Sequence, residues 1–181
     1  MSLREEATGL LQELIRVDTV NPPGNETAAA DLLREYLEAN GVACETYARE
    51  PHRANLVARL PGGGGPKLAL LSHTDTVLAD AAEWSADPWS GELRDDQVWG
   101  RGALDMKGQV AASAVAIASL AREGFEPSGD LIFAATADEE VGEDPDFGLS
   151  WLVRTHPDSM RCDPTALAFK VPALFTVLVP V

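Results

Sequence analysis

The chain has 181 residues, 29 acidic against 14 basic side chains, a formal charge of −15 and a hydrophobic content of 45%. That length suits one substantial domain, and the apolar fraction is enough for a core, which argues against global disorder. The acidic balance argues against nucleic acid and membrane surfaces as partners, because both would repel it. Cys44 and Cys162 stand apart, so no disulfide framework or zinc knuckle is indicated. The start, Met1 to Glu6, lacks a charged-then-apolar signal pattern, and the expected setting is a reduced cytoplasm.

In chain order, Leu3, Ala7, Leu10, Leu11 and Leu14 recur at helical spacing up to Val17. The loop Asn21-Pro22-Pro23-Gly24-Asn25 stops that helix. Asn25 or Thr27 can cap a second helix, whose inner face is Ala29, Leu32, Leu33, Tyr36 and Leu37 and whose end is Gly41. Ala43–Ala48 and Asn55–Leu60 read as strands. Pro61 to Pro66 carries four glycines but neither a Gly-Lys-Ser/Thr ending nor a following helix, so it reads as a flexible hairpin connection and not a phosphate cradle. Leu68 to Leu71 and Leu131 to Ala135 are continuous apolar runs, the pattern of strands buried on both faces. Between them a helix from about Lys107 to Arg122, rich in alanine and ended by Gly124, can pack closely on a sheet. Alternating strands and helices imply an α/β layer architecture. Pro164 to Val181 carries one charge, Lys170, and three prolines, and reads as an atypical apolar tail too broken to be a membrane helix.

Three segments carry candidate chemistry. His73 and Asp75 follow the first apolar run, where ligands bind beyond the carboxyl ends of strands. Two apart in extended chain, they point to one side, and the carboxylate can hold the imidazole in the tautomer that a metal requires. A structural histidine is the alternative. Asp105 lies among glycines at the start of the alanine-rich helix, as a ligand or simply as an N-cap. Asp138-Glu139-Glu140 follows the second apolar run, and six of the nine residues 138–146 are acidic. A solvated face, or the N-terminus of a helix near Phe147–Arg154, is the bland reading. Adjacent acids at the end of a buried strand would repel one another without a cation, which favours a metal. Together the five residues combine nitrogen and carboxylate donors, a set that suits zinc, with cobalt or manganese as substitutes. A carboxylate such as Asp105 can bridge two cations, and a free glutamate can take a proton from water held there.

These residues resemble the di-zinc metallohydrolase family of aminoacylases, desuccinylases and glutamate carboxypeptidases. The resemblance runs from about Leu10 to Val153 and rests on SHTDTV (72–77), WSADPWSGELRDDQVWGRGALDMKG (84–108) and ADEEVG (137–142), in the family's order and approximate spacing. It implies a three-layer α/β sandwich with a central, twisted, mixed and largely parallel sheet and helices on both faces. It implies two divalent metal ions, and cleavage of an amide in a small peptide or N-acyl amino acid. His73, Asp105 and Glu140 resemble metal ligands, with Asp105 the bridge. Asp75 resembles the acid that orients His73, and Glu139 the general base.

The family pattern also holds a carboxylate ligand shortly after an aspartate that resembles Asp163, and a late histidine beyond a lid and dimerisation domain. Neither appears here: residues 164–170 carry no acid. The expectation is that residues 1–163 form the N-terminal part of the catalytic domain, the lid being absent. Three of five protein ligands would then be supplied, leaving each metal one short. Asp163 is a candidate substitute, and His52 and His156 match no family ligand. The resemblance confines homodimerisation to a full-length form. A catalytically dead binding or structural domain is the alternative of a different class. A phosphoesterase ranks last, since Arg101 and Lys107 alone make no phosphate clamp.

Overall fold

The computed structural model describes residues 1–141 and 147–161. The chain begins with α1 (Leu3–Arg16) and α2 (Glu26–Ala39), followed by β1 (Ala43–Ala48), β2 (Ala54–Leu60) and β3 (Leu68–His73). A small ribbon of β4 (Glu92–Arg94) and β5 (Gln97–Trp99) precedes α3 (Gly108–Arg122), β6 (Leu131–Thr136) and α4 (Leu149–Thr155). The expected spans at Ala43–Ala48 and in the first three helices therefore form almost where their periodicity places them. Ser2 caps α1, accepting from the Glu5 N–H while the Glu5 carboxylate accepts from its own N–H. Asn25 occupies the capping position of α2 without a side-chain cap; its amide donates instead to the Asp18 carbonyl.

The main sheet has the order β1-β2-β6-β3 and is mixed. It departs from the largely parallel sheet expected, because among the described strands β1–β2 and β2–β6 are antiparallel and only β3–β6 is parallel. Connection length is the reason. The short segment 49–53 permits only a hairpin, whereas β3 and β6 are joined by a long crossover that contains α3. The glycine run is not a hairpin turn either, since β6 lies between β2 and β3. It lies instead on the backbone leading into β6. Gly63 N–H donates to Pro127 O and Gly65 N–H to Ser128 O, so closely that a Cβ on Gly62 would stand 2.4 Å from the Gly129 carbonyl carbon.

Period-two alternation splits the core. Leu56, Ala58, Phe133 and Ala135 face α1, α2 and α3, meeting Leu10, Leu14, Leu33, Leu37, Val110 and Ala114. Val57, Ala69, Ile132 and Ala134 face α4, meeting Leu152 and Met160. Helices thus cover both faces. At roughly 1.5–3 kcal/mol per buried leucine-sized side chain, this packing outweighs intrinsic helix propensity in placing α1 and α2. The two apolar runs differ in depth. The β6 run is buried from Ile132 onward, but Leu68 is 38% exposed and Leu70 and Leu71 are half-buried, because β3 is the edge of the described sheet. No helix among the described residues is long and apolar enough to cross a membrane.

Candidate metal centre at the sheet edge

Because β3 and β6 run parallel in register, with His73 beside Thr136, their carboxyl ends open at the same edge. His73 is the last residue of β3 and is buried. Its Nδ1 lies 3.1 Å from the Asp75 carbonyl oxygen and 3.3 Å from Asp75 Oδ1. A carbonyl only accepts, so Nδ1 carries a proton, and Nε2 is the ring nitrogen whose lone pair a cation would take in place of the second proton. Nε2 faces Asp105 Oδ1 at 3.3 Å and Glu139 Oε2 at 3.6 Å. Burial opposes charge on His73, but the carboxylates of Asp75, Glu139 and Asp105 outweigh it and raise its pKa to about 8.

Asp105 reaches this point on a tight turn between β5 and α3. Gly102 has φ +80, and a Cβ there would lie 2.7 Å from the Thr76 methyl, so the turn hugs the segment after β3. Its other flank is pinned by Lys107, a fully buried side chain whose Nζ donates to Leu14 O and Val17 O, both at 2.9 Å. Burial pulls the Lys107 pKa down to about 8, with Asp18 and Asp75 opposing. The N-cap reading of Asp105 is set aside, because Lys107 occupies the cap position and α3 has no side-chain cap.

Asp75 organises the third segment. Fully buried, it accepts the Glu139 N–H at Oδ1 (3.1 Å) and the Glu140 N–H at Oδ2 (2.9 Å), together with Asn21 Nδ2 at 3.0 Å. Burial would raise its pKa, yet His73, Asn21 and the two backbone N–H groups hold it near 2. Asp138, at φ 60, turns the chain out of β6. Arg53 donates to Asp138 at 3.0 Å and to Glu26 at 2.7 and 2.9 Å, and its guanidinium lies over the Phe147 ring. Burial pushes the Glu140 carboxyl up, and the like charges of Asp105, Asp75 and Glu139 add to this against the opposing pull of His73.

His73, Asp105 and Glu140 can each offer one donor atom within 4.8 Å of the others. The outward-facing Nε2, the convergent carboxylates and the like-charge crowding on Glu140 fit a divalent cation. All five residues singled out from the sequence meet here: His73, Asp75, Asp105, Glu139 and Glu140. Asp163, the acids at 143, 144 and 146, and the tail at 164–181 lie outside the described residues. His52 is exposed, and His156 stacks on Tyr47 with ring centroids 4.6 Å apart. Sequence reasoning missed Asn21, Glu26, Arg53 and Lys107. Asn21 read only as a helix stop. The one local hint was Arg53, a cation set directly before the apolar start of β2.

Comparison with known proteins agrees with this architecture. A succinyl-diaminopimelate desuccinylase from Rhodospirillum centenum is 40% identical over 136 residues, covering 72% of this chain and 34% of the relative. One from Methylobacterium nodulans is 42% identical over 137 residues, with 72% and 34% covered. The chain thus spans about a third of the length of the curated relatives it matches. In structure it resembles an M20 family metallo-carboxypeptidase from Sulfolobus solfataricus, at TM-score 0.75 and 22% identity over 87% of this chain and 36% of that one. Human carnosine dipeptidase 1 gives TM-score 0.66 at 22% identity, over 86% and 36%. A dinuclear metal binding peptidase of the M20 family from Bacillus subtilis gives 0.60 at 16%, over 84% and 39%. The family profile itself matches residues 69–179, a stretch that takes in His73, Asp105 and the Glu139–Glu140 pair, and on that match the chain belongs to peptidase family M20/M25/M40.

Proposed function

We propose that this chain is the metal-binding part of a hydrolase that cleaves the amide bond of an N-acyl amino acid or small peptide. A succinylated amino acid is the first substrate to try, given the names of the desuccinylase relatives. The observation that carries this reading is the convergence of His73, Asp105 and Glu140 within 4.8 Å, with Glu139 alongside, in a chain of this family. His73 with Asp105, and Asp105 with Glu140, would hold two divalent ions, for which the mixed donor set favours zinc, with cobalt or manganese as substitutes. When bound, such ions supply water activation near neutral pH and polarisation of the scissile carbonyl. The chain's own part is positional and acid–base. Asp75 holds the His73 ring by its Nδ1 side and fixes the Glu139 and Glu140 backbone. Glu139, one-third exposed, accepts the proton of the attacking water and returns it to the departing amine.

Residues 1–163 are assigned here to the N-terminal part of the catalytic domain, and the cytoplasmic setting rests on the sequence alone. The observation favouring the alternative, a binding domain without turnover, is that the cluster found among the described residues has three donors.

Titration calorimetry with zinc tests the reading. Zinc affinity should fall at least tenfold in His73→Ala, in line with loss of a ligand. Glu139→Gln should keep that affinity and, in a chain extended to the length of the relatives, abolish hydrolysis of N-succinyl amino acids. Zinc uptake indifferent to His73→Ala would overturn the metal centre. Hydrolysis by the 181-residue chain in excess zinc would exclude the binding-domain alternative.

A further inference from the structure

The segment after α1 runs alongside the segment after β3. Thr76 N–H donates to Thr19 O at 3.0 Å, Asn21 N–H to Thr76 O at 2.9 Å, and Thr19 Oγ1 to Thr74 O at 2.7 Å. This pairing seats Asn21, only 5% exposed, between two carboxylates that come from different strand ends. Its Nδ2 lies 3.0 Å from Asp75 Oδ2 and 3.0 Å from Asp138 Oδ1. Carboxylates only accept, so the amide orientation is settled by chemistry, and both protons of the one NH2 group are in use.

The contacts close a ring. Asp75 accepts from the N–H groups of Glu139 and Glu140, those residues follow Asp138 in the chain, and Asn21 ties Asp138 back to Asp75. Arg53, anchored on Glu26, and the Phe147 N–H hold Asp138 from outside the ring. Without the neutral donor, the Asp75 and Asp138 carboxylates would lose the one amide group seen to bridge them. A third acid in place of Asn21 would deepen that repulsion. We propose that Asn21 is a positioning residue: by clamping Asp75 to Asp138 it sets the backbone from which Glu139 and Glu140 project toward His73. The Asn21 amide donates to Asp75 and Asp138, so its effect passes through the ring. The functional consequence rests on the metal-centre reading above; the ring itself does not.

The test compares the chain with Asn21→Leu, a near-isosteric change that removes both donors. Amide hydrogen exchange, followed by NMR, should show the Glu139 and Glu140 N–H groups losing at least tenfold in protection while Ile132 to Ala135 in β6 stay unchanged. Affinity for Co2+, read from its visible absorption, should fall ~10–100-fold, the usual cost of losing an outer partner of a metal site. Unchanged protection at 139 and 140 overturns the proposal. So does an equal loss throughout β6, which would mark a merely structural role. Should Asn21→Leu fail to fold, Asn21→Ser offers one hydroxyl proton to two acceptors, and the same selective loss decides the matter. If the unsubstituted chain takes up no Co2+, the metal-centre reading fails, while the exchange comparison still decides whether the ring exists.

Discussion

Lys107 shows how much one residue carries outside the candidate chemistry. Two residues from Asp105 and fully buried, it caps the last turn of α1 by donating to Leu14 O and Val17 O. Leu14 O shares this donor with the N–H of the C-cap Val17 (3.2 Å), the Val17 carbonyl lies beyond the last intrahelical bond, and a cation suits that end of the helix dipole. Burial, which lowers its pKa to about 8, opposes holding an ammonium there. Lys107→Met keeps the stem's packing and deletes the donors. It should lower stability by about 1–3 kcal/mol, the usual cost of losing hydrogen bonds from a charged group, as read from urea unfolding midpoints at constant slope. A loss below that range would mean that water replaces the ammonium. The sequence offers Lys107 only as the start of a helix and, with Arg101, as too little for a phosphate clamp. Nothing local distinguishes a buried lysine from an exposed one, since its partners lie about ninety positions away.

Among elements, the junction of β2, β3 and β6 is tied by Asp130, directly before β6. Its carboxylate accepts the Gly62 N–H of the glycine run at 3.0 Å and pairs with Arg59 of β2 (2.8 Å) and with Lys67 before β3 (3.0 Å). The Gly62 N–H foremost, then Lys67 and Arg59, hold its pKa near 2, below the ordinary 3.8. A folded-state value below the unfolded one contributes stability that is present above pH ~4 and lost as the pH falls toward 2. Solvent screening limits this partly exposed group to about 1 kcal/mol. Asp130→Asn should therefore flatten the acid limb of stability between those two values while changing little at pH 7 beyond that amount; thermal unfolding at stepped pH checks it. An acid limb that survives intact would place the titration elsewhere. The helices and β1, β2 and β6 were legible because periodicity and apolar runs are local signals. Strand order was not. The glycine run is as suitable for a hairpin as for lying on residues 127–129, and only the insertion of β6 between β2 and β3 decides between them.

For the whole molecule, a charge of −15 means that self-repulsion opposes compaction, while the local charge crowding sits at one sheet edge. The two effects separate experimentally. Added NaCl should raise the melting temperature by screening, at roughly 2–4 °C per kcal/mol relieved for a chain of this size. Zinc at a hundred times its Kd should add about 2.7 kcal/mol. Glu140→Gln should cut the zinc increment and leave the salt increment, as followed by circular dichroism; a zinc increment of unchanged size would exclude Glu140 as a ligand. The helices, the main strands, the family and the five residues that meet at the candidate centre are all legible in the chain. Metal-type donors must be particular atoms at strand ends, and that requirement leaves compact motifs in the chain. The strand directions, the burial of Lys107, and the ring through Asn21 and Asp138 with its anchor on Arg53 and Glu26 become visible only in the folded chain. Those depend on which distant polar groups are taken out of water together, and a buried polar group is tolerated only where its partners arrive from elsewhere in the fold.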